Sequence, residues 1–161
     1  MNEYGERLTR LAYNYVKDWG KAEDIVQEVF ITCYDRFDEV ERIISYKSWV
    51  YKITINRCKD VLKSSFFKKV IVNYKLFSHT QSRELTPEKR VVKNNEEELL
   101  ARCVLALPIK YREVIILFYY EELSILEIAE LLSLNTNTIK TRLSRARVVL
   151  KEQLEGWEAN G

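Results

Sequence analysis

The chain has 161 residues, 31% of them charged and 47% hydrophobic, with a formal net charge of +2, enough for one domain or two small ones around a modest core. Only four glycines and two prolines, with apolar residues recurring mostly at helical spacing, predict an all-α fold. Cys33, Cys58 and Cys103 lack metal-ligand spacing, His79 is the single histidine, and no phosphate loop, Ser/His/Asp set or framed carboxylate pair is present, so neither a metal, a cofactor nor an enzyme is expected.

No amino-terminal apolar run has signal-peptide length, and the longest apolar stretch, Val114 to Tyr120, is too short to span a bilayer. A cytoplasmic protein without membrane insertion is the expectation. The three cysteines then read as reduced packing residues.

In chain order, Leu8, Leu11, Ala12, Tyr15 and Val16 share a helical face within residues 3–19, and Gly20 is read as the stop. Residues 22–37 follow with Ile25, Val26, Val29, Phe30, Cys33, Tyr34 and Phe37 as an apolar stripe. Their outer face carries Asp24, Gln27 and Glu28, either a solvated face or one that meets a basic or hydrogen-bonding partner.

Residues 38–47 have no clear period and read as a loop or short helical turn. A third helix spans about 48–62, with Val50, Tyr51, Thr54, Ile55, Cys58, Val61 and Leu62 on one side. Lys52, Asn56, Lys59 and Lys63 lie on the other, together with Trp49. Such a row could hold phosphates and stack on an exposed base; equally, it could be an ordinary lysine-rich surface with Trp49 in the core.

Residues 64–85 break the helical period and read as a linker whose many aromatic and aliphatic groups should pack on something. Thr86-Pro87-Glu88 combines an N-cap residue, a first-turn proline and an acid, so a helix is expected from there to Leu107, with Leu99, Leu100, Cys103, Val104 and Leu107 as core. Pro108 opens the next, Ile109 to Tyr120, with Tyr111, Val114, Ile115 and Phe118 inward.

Ser124 and Glu127 form a capping-box signature ahead of Ile125, Ile128, Ala129 and Leu132. Ser133-Leu134-Asn135 breaks that helix, and Asn135 can cap another in which Ile139, Leu143, Ala146 and Leu150 make a narrow stripe. Residues 133–151 hold five basic groups and no acid (+5), whereas 94–132 hold three basic and eight acidic groups (−5). Local charge, not net charge, attracts phosphates. A capped helix, a tight turn and a one-sided basic helix fit a helix-turn-helix whose second member enters the major groove; a solvated basic face is the plainer alternative. The result is two small helical domains joined by a linker, the carboxy-terminal one a four-helix unit.

The segments AEDIVQEVF, SYKSWVYKITINRCKDVL and LALPIKYREVIILFYYEELSILEIAELLSLNTNTIKTRLSRARVVL, in that order, resemble the extracytoplasmic-function (ECF) sigma factors of bacterial RNA polymerase over about residues 3–155. The resemblance implies region 2 in 1–63, a linker in 64–85 that threads the polymerase channel, and region 4 in 86–161. By it, Asp24, Gln27 and Glu28 dock on core polymerase. Asn56 lies near the flipped base of the minus-ten element, with Trp49, Lys52, Lys59 and Lys63 supporting melting, and 38–47 cradles the extruded base. Asn137, Thr138, Lys140, Thr141, Arg142, Ser144, Arg145 and Arg147 serve the minus-thirty-five element. The wheel directs Thr141, Ser144 and Arg145 to base edges and Lys140, Arg142 and Arg147 to backbone.

The family often has Gly at positions 133 and 137 and a larger residue at 144, so Ser133, Asn137 and Ser144 mark where turn geometry and promoter preference should depart. The implied function is promoter-specific initiation with core RNA polymerase and promoter DNA as partners, an anti-sigma protein as inhibitor, and a monomeric free chain. A helix-turn-helix regulator acting without polymerase is the alternative reading. A DNA-processing enzyme is the other, weakened by the missing catalytic constellation.

Overall fold

A computed structural model describes residues 2–40, 45–64 and 93–160. The helices are α1 (Asn2–Val16), α2 (Trp19–Asp35), α3 (Phe37–Val40), α4 (Tyr46–Lys63), α5 (Lys93–Ala106), α6 (Ile109–Ile115) with a π-helical continuation (Ile116–Tyr120), α7 (Ile125–Leu132) and α8 (Thr136–Asn160). Among the described residues there is no strand. The expected linker beyond Ser64 and the helix start at Thr86-Pro87-Glu88 lie outside the described residues, as do positions 41–44 of the expected loop.

Helices α1, α2 and α4 pack on one another as the amino-terminal unit, and α5 to α8 form the carboxy-terminal one. The expected stripe of α1 is buried throughout: Leu8, Leu11, Ala12, Tyr15 and Val16 are each 3% exposed or less. Helix α1 does not run on to Gly20. Lys17 turns left-handed (φ 52°), and the Asp18 carboxylate accepts from the Lys21 N–H at 3.0 Å, so α2 starts at Trp19 and takes Gly20 into its first turn. A carboxylate placed to cap was the stronger local signal.

In α2, Ile25, Val26, Val29 and Cys33 are buried, but Tyr34 and Phe37 are 82% and 68% exposed. Tyr34 sits about 120° round the helix from the centre of that stripe, at ~100° per residue. Phe37 lies beyond the end of α2 at Asp35, in a separate short helix, where the period no longer holds.

The predicted helix 109–120 is interrupted. Its last five residues widen into a π-turn that shifts the phase, burying Ile116 and Leu117 while Tyr119 and Tyr120 are pushed outward. Further on, the capping box forms as the sequence predicts: Ser124 Oγ accepts from the Glu127 N–H at 3.1 Å, and Glu127 Oε1 accepts from the Ser124 N–H at 3.2 Å. Asn135 Oδ1 accepts from the Asn137 N–H at 2.8 Å and starts α8.

Both units contribute to one continuous apolar cluster, from Leu8 and Tyr15 in α1 through Leu62 in α4 to Leu117, Ile128 and Leu143.

Candidate nucleic-acid and polymerase interface

Ser133 sits at the turn between α7 and α8 with φ 55° and ψ 43°, left-handed, where a glycine would cost least. Its N–H closes onto the end of α7, so the turn keeps the tight form expected of Gly at this position. The tight turn fixes α8 beside α7, and Ile139, Leu143 and Ala146 anchor its inner stripe at 1% exposure or less.

Anchoring that stripe turns the opposite face outward. Asn137, Lys140, Thr141, Ser144, Arg145, Arg147 and Val148 are exposed, whereas Thr138 and Arg142 are half-buried. The predicted group therefore spans the outward side of α8, with Thr141, Ser144 and Arg145 at its centre and Lys140 and Arg142 on opposite flanks. Arg147 is the most constrained: its Nε donates to the Tyr119 hydroxyl at 2.7 Å, and its guanidinium lies 5.5 Å from the Phe118 ring centre. Those two rings, set edge to face by the π-turn, hold a cation that the sequence leaves free-standing.

The α4 row is not presented together. Asn56 and Lys63 are exposed and Trp49 is half-buried, packed against the core. Lys52 Nζ donates to Ser133 Oγ at 3.1 Å. Lys59 Nζ lies 2.6 Å from Glu113 Oε1, a carboxylate only 2% exposed. Trp49, Lys47 and Lys52 also share a groove of about 500 Å³ with Leu131, Glu127 and Glu130 of α7. Two of the three lysines expected at melted DNA thus meet the carboxy-terminal unit in this chain.

Sequence reasoning missed the centre of that contact. Glu113 also accepts from the Tyr15 hydroxyl at 3.1 Å. Burial, with the Glu113 charge adding to it, pushes the Tyr15 phenol well above its ordinary range. Next to it, Arg112 donates to the Tyr15 carbonyl at 3.2 Å and to the carbonyls of Leu105 and Leu107, so one guanidinium serves the carboxy-terminal ends of both α1 and α5. Its Nε is buried without a partner. Glu121 and the Tyr51 hydroxyl make a further link between the units, and burial raises both of their pKa values. Buried charge is expensive unless paired, and in a helix that also carries the exposed Lys110 nothing local singles out Arg112 and Glu113 as the buried pair.

On α2, Asp24, Gln27 and Glu28 are exposed along one face. Glu28 is paired with Arg57 of α4, both about half-exposed, which ties this face to the helix behind it. Among the described residues no three His, Cys, Asp or Glu side chains converge as a metal would require, and no helix is long and apolar enough to cross a membrane.

Residues 1–65 match the family described as Sigma-70 region 2, and residues 97–150 match Sigma-70, region 4. The chain is 32% identical over 158 residues to the ECF RNA polymerase sigma factor SigW of Bacillus subtilis (strain 168), covering 94% of this chain and 84% of that protein. It is 31% identical over 154 residues to the RNA polymerase sigma factor SigV of the same organism, covering 96% and 88%. Among solved structures, CnrH in complex with the cytosolic domain of CnrY is similar in fold, with a TM-score of 0.66 at 21% identity over 96% of this chain and 84% of that one. The sigma factor RpoE in complex with the anti-sigma factor NepR from Bartonella quintana gives 0.61 at 22% identity, covering 94% and 91%. Because the match takes in the amino-terminal unit as well as the helix-turn-helix, a regulator acting without polymerase is not favoured. The chain belongs to the ECF sigma factors of bacterial RNA polymerase, the class that directs promoter-specific transcription initiation.

Proposed function

We propose that this sigma factor divides its work among three surfaces, two on region 2 in 1–63 and one on region 4 in 86–161, the regions joined by a linker in 64–85. Asp24, Gln27 and Glu28 dock on core polymerase. Trp49, Lys52, Asn56, Lys59 and Lys63 receive and melt the minus-ten element, where extruding a base costs a few kcal/mol. Asn137, Thr138, Lys140, Thr141, Arg142, Ser144, Arg145 and Arg147 hold the minus-thirty-five element.

The observation that carries this reading is the face of α8. Thr141, Ser144 and Arg145 point outward together, in a segment with five basic residues and no acid, on a helix capped and anchored by its neighbours. A rigid element with hydrogen-bonding side chains at its centre and cations on its flanks matches what major-groove readout requires.

For Lys52 and Lys59 to meet promoter DNA, their bonds to Ser133 and Glu113 must be exchanged, so the two units part on engagement. An inhibitor of the anti-sigma kind is the third partner. That CnrH and RpoE were solved with the cytosolic domain of CnrY and with NepR supports it.

The test is footprinting of core polymerase with and without the purified chain on genomic promoter fragments. Protection of two separate promoter elements, present only with the chain, is expected. Failure to associate with core polymerase when no inhibitor is present contradicts the reading.

A further inference from the structure

On the outward side of α8, a cavity of about 360 Å³ is lined by Lys110 and Tyr111 of α6 and by Asn137, Thr138, Thr141, Arg142 and Arg145 of α8. Its lining carries three cations and no carboxylate. Lys110 is exposed, and its ammonium stands 5.0 Å from the centre of the half-buried Tyr111 ring, which packs against the core and gives the cation a fixed platform. Among the described residues Lys110 has no acidic partner.

The position of this notch on α8 gives it a meaning. At about 100° per residue, Lys140 and Arg147 lie within ~20° of each other on one flank, whereas Arg142 lies ~160° from Lys140 on the other. A helix seated in a major groove has one phosphate backbone along each flank. Lys140 and Arg147 therefore face one strand, and Arg142 faces the opposite one with Lys110 next to it.

We infer that Lys110, on its Tyr111 platform and with Arg142, is a phosphodiester seat for the strand of the upstream promoter element opposite the one held by Lys140 and Arg147. Lys110 stands within a stretch of net charge −5, residues 94–132, far in sequence from the basic helix; only the packing of α6 on α8 brings it to the interface. The seat positions without reading sequence, because a phosphate is the same at every base pair. This inference rests on the promoter-binding role proposed above.

The experiment uses the full chain with core polymerase on a promoter fragment selected by the wild-type holoenzyme. Each phosphate contact contributes about 0.9 to the slope of log affinity against log salt. Lys110→Ala should lower that slope by about 0.9, so that its deficit relative to wild type shrinks about 3–4-fold between 50 and 200 mM salt. The loss should be equal on fragments with different upstream sequences, and Lys110→Arg should keep the full slope. Single methylphosphonates walked along each strand should then locate a phosphate whose neutralisation weakens wild type but not Lys110→Ala, on the strand opposite the one found with Lys140→Ala. An unchanged slope, a loss confined to one upstream sequence, or a contact on the same strand as that of Lys140 overturns the seat while leaving promoter binding intact. Absence of upstream binding by the wild-type holoenzyme overturns both.

Discussion

Lys59 of α4 and Glu113 of α6 meet at 2.6 Å across the two units, the carboxylate 2% exposed and also bonded to the Tyr15 hydroxyl. Removing one partner of a buried pair strands the other. Lys59→Ala should therefore cost about 3 kcal/mol of stability, the low end for a buried charge because the Tyr15 hydroxyl remains. Glu113→Gln should cost about 1 kcal/mol, since the amide still accepts from Tyr15 and the lysine, one-quarter exposed, reaches water. Urea denaturation of both variants checks the order. A loss below about 1 kcal/mol for Lys59→Ala is what an exposed pair would give, and would mean that the units do not close on Glu113.

The alkaline limb of stability has an identifiable source. Burial pushes the Cys58 thiol from an ordinary 9.0 up to about 12, and it is 0% exposed. Its folded pKa is the higher one, so the folded chain holds this proton more tightly than the unfolded chain does. The associated stability is whole below about pH 9 and is lost as pH rises toward 12. Tyr15, displaced in the same direction, adds to the loss. Urea midpoints should fall steadily from about pH 9 to 11, and less steeply in Cys58→Ala. Equal slopes would show that Cys58 is ionised alike in both states. The same burial predicts that Cys58 reacts with thiol reagents only through unfolding.

Arg145 is exposed at the centre of the α8 face. Arg145→Ala should lose about 1–3 kcal/mol of discrimination at one base pair of the upstream element, measured by competition between promoter variants. Equal loss on every variant would assign Arg145 to phosphate.

Local signals in the sequence were dependable where a few neighbouring residues decide the outcome. Ser124 and Glu127 cap each other as their spacing says, Asn135 starts α8, and the stripe of α1 is wholly buried, because each depends only on residues within a turn or two. Gly20 misled because Asp18, two residues earlier, was a better start signal than glycine was a stop. The all-helical fold and the outward, basic side of α8 were likewise legible from periodicity and charge. Nothing local marks Arg112 and Glu113 as buried, or Lys110 as part of the basic face, since their partners lie in helices that only folding brings close. For the same reason the row from Trp49 to Lys63 looked uniform on a wheel, although Lys52 and Lys59 are held by the other unit and Asn56 and Lys63 are not.

Run-off transcription from a genomic promoter library by core polymerase, alone, with the chain and with its Asp24→Lys variant, tests the central claim most directly. Asp24 is exposed on the α2 face, and among the described residues it makes no ion pair, unlike Glu28, which is held by Arg57. Discrete start sites that share two upstream elements should arise with the wild-type chain and be absent with core polymerase alone. The Asp24→Lys variant should lose them through weaker polymerase binding. Transcripts no different from those of core polymerase alone would contradict the sigma-factor account, and full activity from Asp24→Lys would contradict the docking surface assigned to α2.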